Sequence, residues 1–219
     1  MYFGFNHILA MPDYSLPSNV TLVFGQSSSG KTTFCFFYLL NVPAACRFIF
    51  DDRGQASARL KLKPCNTARE CELAVPTRWV CFNPHVMFPG ARLADGFRWF
   101  CHWVFEVSKR GPGKKVLFVD EMWQWCDPRR DPPEELENVV RTGRVENLEL
   151  LSATHSPREF HRNIRRLVTE WIGFNTVEEF DLEAIRPYWP GVDKVRTLPK
   201  GHFLAFNRES GAELAGRVF

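Results

Sequence analysis

The run Gly25-Gln26-Ser27-Ser28-Ser29-Gly30-Lys31-Thr32 constrains this chain more than any other stretch of it. A strand-type segment, Val20–Phe24, precedes it, and an apolar run of helix length, Lys31–Leu40, follows. A strand that turns through two glycines into a helix leaves successive backbone amides pointing inward, at the positive end of the helix dipole. Gly25 and Gly30 permit the tight turn. Lys31 is placed to reach the terminal phosphates of a nucleotide, and Thr32 to offer its hydroxyl to Mg²⁺. The pattern predicts a phosphate-binding loop made of Gly25, Gln26, Ser27, Ser28, Ser29, Gly30, Lys31 and Thr32, with Thr33 beside it.

A second signal lies about 90 residues on, where Lys115-Val116-Leu117-Phe118-Val119 ends in Asp120-Glu121. An acid at the end of a buried strand is suited to hold the water shell of a magnesium ion opposite Thr32, which is the role expected of Asp120. Glu121, one residue further, is a candidate general base for an attacking water. Together with the loop at 25–32, the pair favours hydrolysis of the terminal phosphate over simple nucleotide binding.

A third segment runs from Arg141-Thr142-Gly143-Arg144 through the strand-type stretch Leu148–Ala153 to Thr154-His155-Ser156-Pro157. If that strand neighbours the one ending at Asp120, Thr154 or His155 stands near the terminal phosphate, as a sensor or a positioner of water; a satisfied loop histidine is the plain alternative. Arg141 and Arg144 end a helix, where cations suit the dipole. The sharper reading makes one of them an arginine finger for a neighbouring subunit's nucleotide.

Elsewhere, short β-type runs alternate with helix-length segments. Strands are expected at 20–24, 47–50, 79–82, 116–119, 148–153 and 168–173, and helices at 31–40, 95–109, 133–142 and 157–165. Loop signals fall at 11–19, 111–115, 126–133 and 186–194. Asp131 is expected to cap the helix from Pro133. The region 57–75 stays ambiguous, and residues 202–206 suggest added edge strands. The alternation predicts an α/β fold with a mostly parallel central sheet flanked by helices. We expect one domain over 1–219, with an N-terminal extension over 1–18 and C-terminal edge strands over 187–219.

The composition supports a packed core: 45% of residues are hydrophobic, with 20 Phe and 7 Trp. The formal charge of +3 neither demands nor excludes a nucleic-acid partner, so a basic surface must be local. Seven cysteines lack metal-ligand spacing and read as small hydrophobes in a reducing compartment. The longest uncharged window, 32–46, is broken by Asn41 and Pro43 and falls short of the roughly 20 residues a membrane span needs.

The order GQSSSGKT, VLFVDE, RTGR, LLSATHSPREF and LPKGHFLAF resembles the FtsK–HerA superfamily, and within it the compact genome-packaging ATPases of tectiviruses and related membrane-containing icosahedral viruses. The resemblance spans roughly residues 18 to 206. It implies a RecA-like (ASCE) P-loop NTPase that uses ATP and Mg²⁺. It further implies a homo-oligomeric ring, usually a hexamer, around double-stranded DNA, acting at a capsid vertex in the host cytoplasm with vertex proteins as partners. Lys31, Thr32, Asp120 and Glu121 match its Walker positions, and Arg141 and Arg144 its arginine-finger segment. One departure is His155, where the superfamily often carries Gln at the end of the sensor strand.

Candidate DNA contacts are Arg53, the group Arg59, Lys61 and Lys63, the group Lys109, Arg110, Lys114 and Lys115, the group Arg162, Arg165 and Arg166, and the preferred pair Arg129 and Arg130 in a Pro-rich loop. The aromatic run 97–105 reads as a core or interface helix rather than a base-stacking surface. Two other functions stay open: a small-molecule P-loop kinase, and a nucleotide-gated phage assembly protein that hydrolyses little.

Overall fold

The structure, a computed structural model, describes residues 20–126 and 129–219. The expected extension over 1–18, the loop at 11–19 and part of the loop at 126–133 lie outside them. In chain order the elements are β1 (Val20–Phe24), α1 (Lys31–Asn41), β2 (Cys46–Phe50), α2 (Gln55–Leu60), α3 (Ala68–Ala74), β3 (Trp79–Phe82), α4 (Leu93–Ser108), β4 (Lys115–Asp120), α5 (Glu134–Thr142), β5 (Leu148–Thr154), α6 (Arg162–Leu167), β6 (Glu170–Phe174), α7 (Glu179–Ile185), β7 (His202–Asn207) and β8 (Glu213–Arg217). They build one sheet of order β3-β2-β4-β5-β1-β6-β7-β8. The strands from β3 to β6 in that order are parallel, and β7 and β8 join antiparallel at the edge, as expected of residues 202–206.

Burial on both faces explains why the parallel strands read as continuous apolar runs. Side chains alternate: Val23, Ile49, Phe118, Leu151 and Ile172 pack with α1, while Leu22, Phe48, Phe50, Leu117, Leu150 and Trp171 pack with the aromatic helix α4 and with α5 to α7. Helix α4 buries Phe97, Phe100, Cys101, Trp103 and Val104, consistent with a core helix. All seven cysteines are buried and unpaired.

Three expectations need correction. The stretch 157–165 is not one helix: a 3-10 turn at Pro157–Glu159 precedes α6, because Phe160 and His161 are extended. Asp131 does not cap α5, whose N-cap is Pro133 with no side-chain cap; three acids in the first turn serve the dipole instead. The basic group at 109–115 is largely consumed by the fold. Lys115 is buried and donates to the carbonyls of Ser108 (2.8 Å) and Glu146 (3.0 Å), and Lys114 pairs with buried Glu149 at 2.6 Å. The ambiguous region 57–75 holds most of α2 and all of α3.

Glu149 also takes the Tyr38 hydroxyl, and near it Glu170 accepts from Thr21 Oγ1 at 3.3 Å. Burial, reinforced by the Glu149 charge, pushes the Glu170 carboxyl up to about 7. A raised carboxyl pKa means the folded chain binds the proton more tightly than the unfolded one. This contribution is complete below the ordinary glutamate value and is lost as pH climbs towards 7. Glu170→Gln is expected to flatten that slope and to gain about 2–3 kcal/mol at pH 8, read by urea unfolding across pH. An unchanged slope would refute the assignment.

Candidate active site

The loop between β1 and α1 has the conformation its glycines predict. Gly25 (φ 151°) and Gly30 (φ 120°) occupy backbone regions closed to L side chains. A Cβ on Gly25 would lie 2.6 Å from Phe174 Cβ, and one on Gly30 2.8 Å from Val218 Cγ2. Strand β6 and the C-terminal residues therefore press on the loop from behind, and the Gln26 amide donates to the Asn175 carbonyl at 2.9 Å. Gly30 caps α1 with no side-chain partner, so the first-turn amides are left for an anion.

Two further observations point to a bound phosphate. The buried Ser29 hydroxyl has no hydrogen-bond partner among the described residues. Lys31 Nζ folds back onto the carbonyls of Gly25 (2.8 Å) and Gln26 (2.9 Å), so a buried cation is satisfied only by the loop that would cradle the ligand. Burial lowers the Lys31 pKa, against the opposing fields of Glu121 and Asp120. Gln26, Ser27, Ser28 and Thr33 are exposed on the loop and the first turn, and Thr32 is half-buried.

Sheet register brings the remaining groups to the same edge. Asp120 ends β4 beside Ala153 of β5, and Thr154 ends β5 beside Phe24 of β1. Burial raises the Asp120 carboxyl to about 6, with Glu121 adding to the rise and Arg53 and Lys31 opposing it. A buried acid beside a second carboxylate is a site that a divalent cation relieves. One carboxylate and the Thr32 hydroxyl form a sparse, hard oxygen set, which suits Mg²⁺ completed by phosphate and water. No cluster of three or more His, Cys, Asp or Glu forms a metal cage of its own among the described residues.

Thr154 and His155 part company. Thr154 is buried and its hydroxyl accepts from the Ser156 amide at 3.1 Å, holding the turn. His155 is exposed, with Nδ1 3.1 Å from both oxygens of Glu121.

The arginines lie elsewhere. Arg141 pairs with Glu137 one helical turn back, and Arg144 with Glu209 in the β7–β8 turn at 2.6 Å. Both precede β5, whereas the phosphate loop follows the far end of β1. The seven residues of β5 separate the two edges by about 20 Å. Arg129 and Arg130 are exposed and follow, in the chain, the 3-10 turn at Met122–Trp125.

Sequence reasoning missed Trp123, which donates to Glu121 Oε2 at 2.7 Å, and the field of Arg53 at Asp120, which opposes the rise of its carboxyl. The register Phe50↔Val119 places the residues after β2 beside those after β4, and only strand order reveals it.

A phosphate nest after one strand, with an acid pair ending another and a single strand between them, defines the RecA-like class of P-loop NTPases. Solved structures share this fold. The genome-packaging NTPase B204 from Sulfolobus turreted icosahedral virus 2, in complex with AMPPCP, superposes with a TM-score of 0.77 at 20% identity, over 92% of this chain and 98% of that one. The pCW3 conjugation coupling protein TcpA matches at TM-score 0.62 and 12% identity, over 92% of this chain and 60% of its own. The cytoplasmic domain of the Thermomonospora curvata type VII secretion ATPase EccC matches at 0.57 and 13%, over 91% of this chain and 25% of its own. No family model and no curated protein matches the chain. No helix among the described residues is long and apolar enough to cross a membrane.

Proposed function

We propose that this chain is an ATPase that drives double-stranded DNA into a preformed viral capsid, working as a ring, six-membered by resemblance, at a capsid vertex in the host cytoplasm. The observation that carries the reading is the split of the catalytic set between two edges of the sheet. Lys31, Asp120 and Glu121 gather at one, while Arg141 and Arg144 stand at the other. A complete site then needs a second copy of the chain.

The loop amides and Lys31 bind the β- and γ-phosphates, and the Ser29 hydroxyl donates to a phosphate oxygen. Thr32 and Asp120 are the residues that would hold Mg²⁺, which supplies charge neutralisation at the phosphates. Glu121 orients a water on the γ-phosphate and takes its proton. An arginine of the adjoining subunit, Arg144 by our reading, stabilises the charge that develops. Arg129 and Arg130 contact the DNA backbone without reading sequence.

The test is steady-state ATP hydrolysis against protein concentration, with and without double-stranded DNA. A rate per subunit that climbs with concentration and rises again with DNA is expected. A flat, DNA-indifferent rate would favour a kinase or a nucleotide switch.

A further inference from the structure

Sheet register brings one more group to the edge that carries the phosphate loop. Strands β7 and β8 extend the sheet antiparallel, so Phe203 pairs with Phe174 at the end of β6, and Arg217 pairs with His202. The start of β7 and the end of β8 therefore lie at the edge where β6 ends. Gly201 donates its amide to the Ser29 carbonyl at 3.0 Å, and Val218 donates to the Gly201 carbonyl at 2.9 Å. This backbone relay ties Phe219 to the loop.

Two glycines make room for the relay. Gly30 leaves space for Val218 Cγ2, and Gly201 (φ 79°) leaves space for the ring of Phe219. A Cβ on Gly201 would lie 2.6 Å from Phe219 Cε2 and 2.9 Å from Cδ2. One side of the ring thus rests on Gly201, while Phe219 as a whole is 59% exposed. A single exposed apolar side chain is ordinary on a protein surface. This one is fastened by two backbone hydrogen bonds to a phosphate site, within a nucleotide's length of it.

The polarity of a nucleotide decides which end meets the ring. In the sheet, β5 and β4 lie on one side of β1, and β6, β7 and β8 lie on the other. The terminal phosphate must point towards Asp120 and Glu121, which end β4, for the metal and the water to reach it. Ribose and base then leave the loop on the opposite side, over β6 to β8, where Gly201 and Phe219 stand. An aromatic ring recognises a base by its face, and a purine offers the wider face.

We propose that Phe219, seated on Gly201, is the platform on which the base of the bound nucleoside triphosphate stacks, and that it favours purines. The inference rests on the reading of residues 25–32 as the phosphate loop, and it assigns the part of the ligand that the loop leaves untouched.

Calorimetric titrations in the presence of Mg²⁺ test it with three probes: a non-hydrolysable ATP analogue, its cytidine counterpart, and inorganic tripolyphosphate, which carries phosphates without a base. Phe219→Ala is expected to lose about tenfold in affinity for the ATP analogue, the scale of one base stacked on one aromatic side chain, while its affinity for tripolyphosphate stays within about twofold. Phe219→Trp is expected to bind the ATP analogue at least as tightly as the wild type. The wild type should prefer the adenosine probe to the cytidine one, and Phe219→Ala should narrow the gap; no preference in the wild type overturns the purine assignment. An unchanged affinity for the ATP analogue in Phe219→Ala overturns the platform. So does an equal loss for tripolyphosphate, which would make Phe219 a prop for the loop. Should the wild type bind neither the ATP analogue nor tripolyphosphate, the phosphate-loop reading falls and the platform falls with it.

Discussion

Glu121→Gln is expected to reduce ATP turnover by about 10²–10⁴-fold while ATP affinity changes by no more than a few fold. The amide preserves the shape of the side chain and can still accept from Trp123, but it cannot take a proton from water. Lys31 and the loop amides, which bind the phosphates, are untouched: Lys31 Nζ is held by the carbonyls of Gly25 and Gln26, not by Glu121. Equilibrium binding of a fluorescent ATP analogue and single-turnover hydrolysis separate the two effects. Near-normal turnover in this variant would remove Glu121 as the base.

Arg144→Ala is expected to depress hydrolysis by about 10³-fold or more without weakening nucleotide binding to the monomer. Its place at the start of β5, beside Glu209, keeps it from the phosphate loop of its own chain. Complementation makes the prediction sharp. Mixing Arg144→Ala with Glu121→Gln subunits creates interfaces in which intact phosphate-loop and acid residues of the first meet an intact Arg144 of the second. Activity should reappear in the mixture, although each variant alone is inactive. No recovery, with mixed assembly verified, would defeat the idea of an arginine supplied across the interface. If Arg141 is the finger instead, Arg144→Ala loses little and Arg141→Ala shows the deficit.

Local chemistry made part of this molecule legible. Glycines 25 and 30 announced the positive-φ turn that the loop adopts, because only glycine enters those regions freely. The run ending at Asp120 announced a strand buried on both faces. Legibility failed where polar chemistry was decided by a distant partner. The lysines at 114 and 115 read as candidate DNA contacts, yet Lys114 meets Glu149 on β5 and Lys115 caps carbonyls near the end of α4. Short amphipathic segments such as α2, α3 and α7 carry too few residues for a period to emerge, and tertiary packing settles them.

The sequence by itself determined the phosphate loop, the acid-ended strand, the parallel α/β class and the aromatic core, since each follows from backbone permissiveness or from which side chains leave water. Only the tertiary structure decided the strand order that sets β5 between β1 and β4, and so carries His155 to the Glu121 carboxylate while keeping Arg141 and Arg144 at the opposite edge. Those juxtapositions join residues up to tens of positions apart. They depend on which strands pair and in what register, and pairing is a property of the whole sheet rather than of any segment within it.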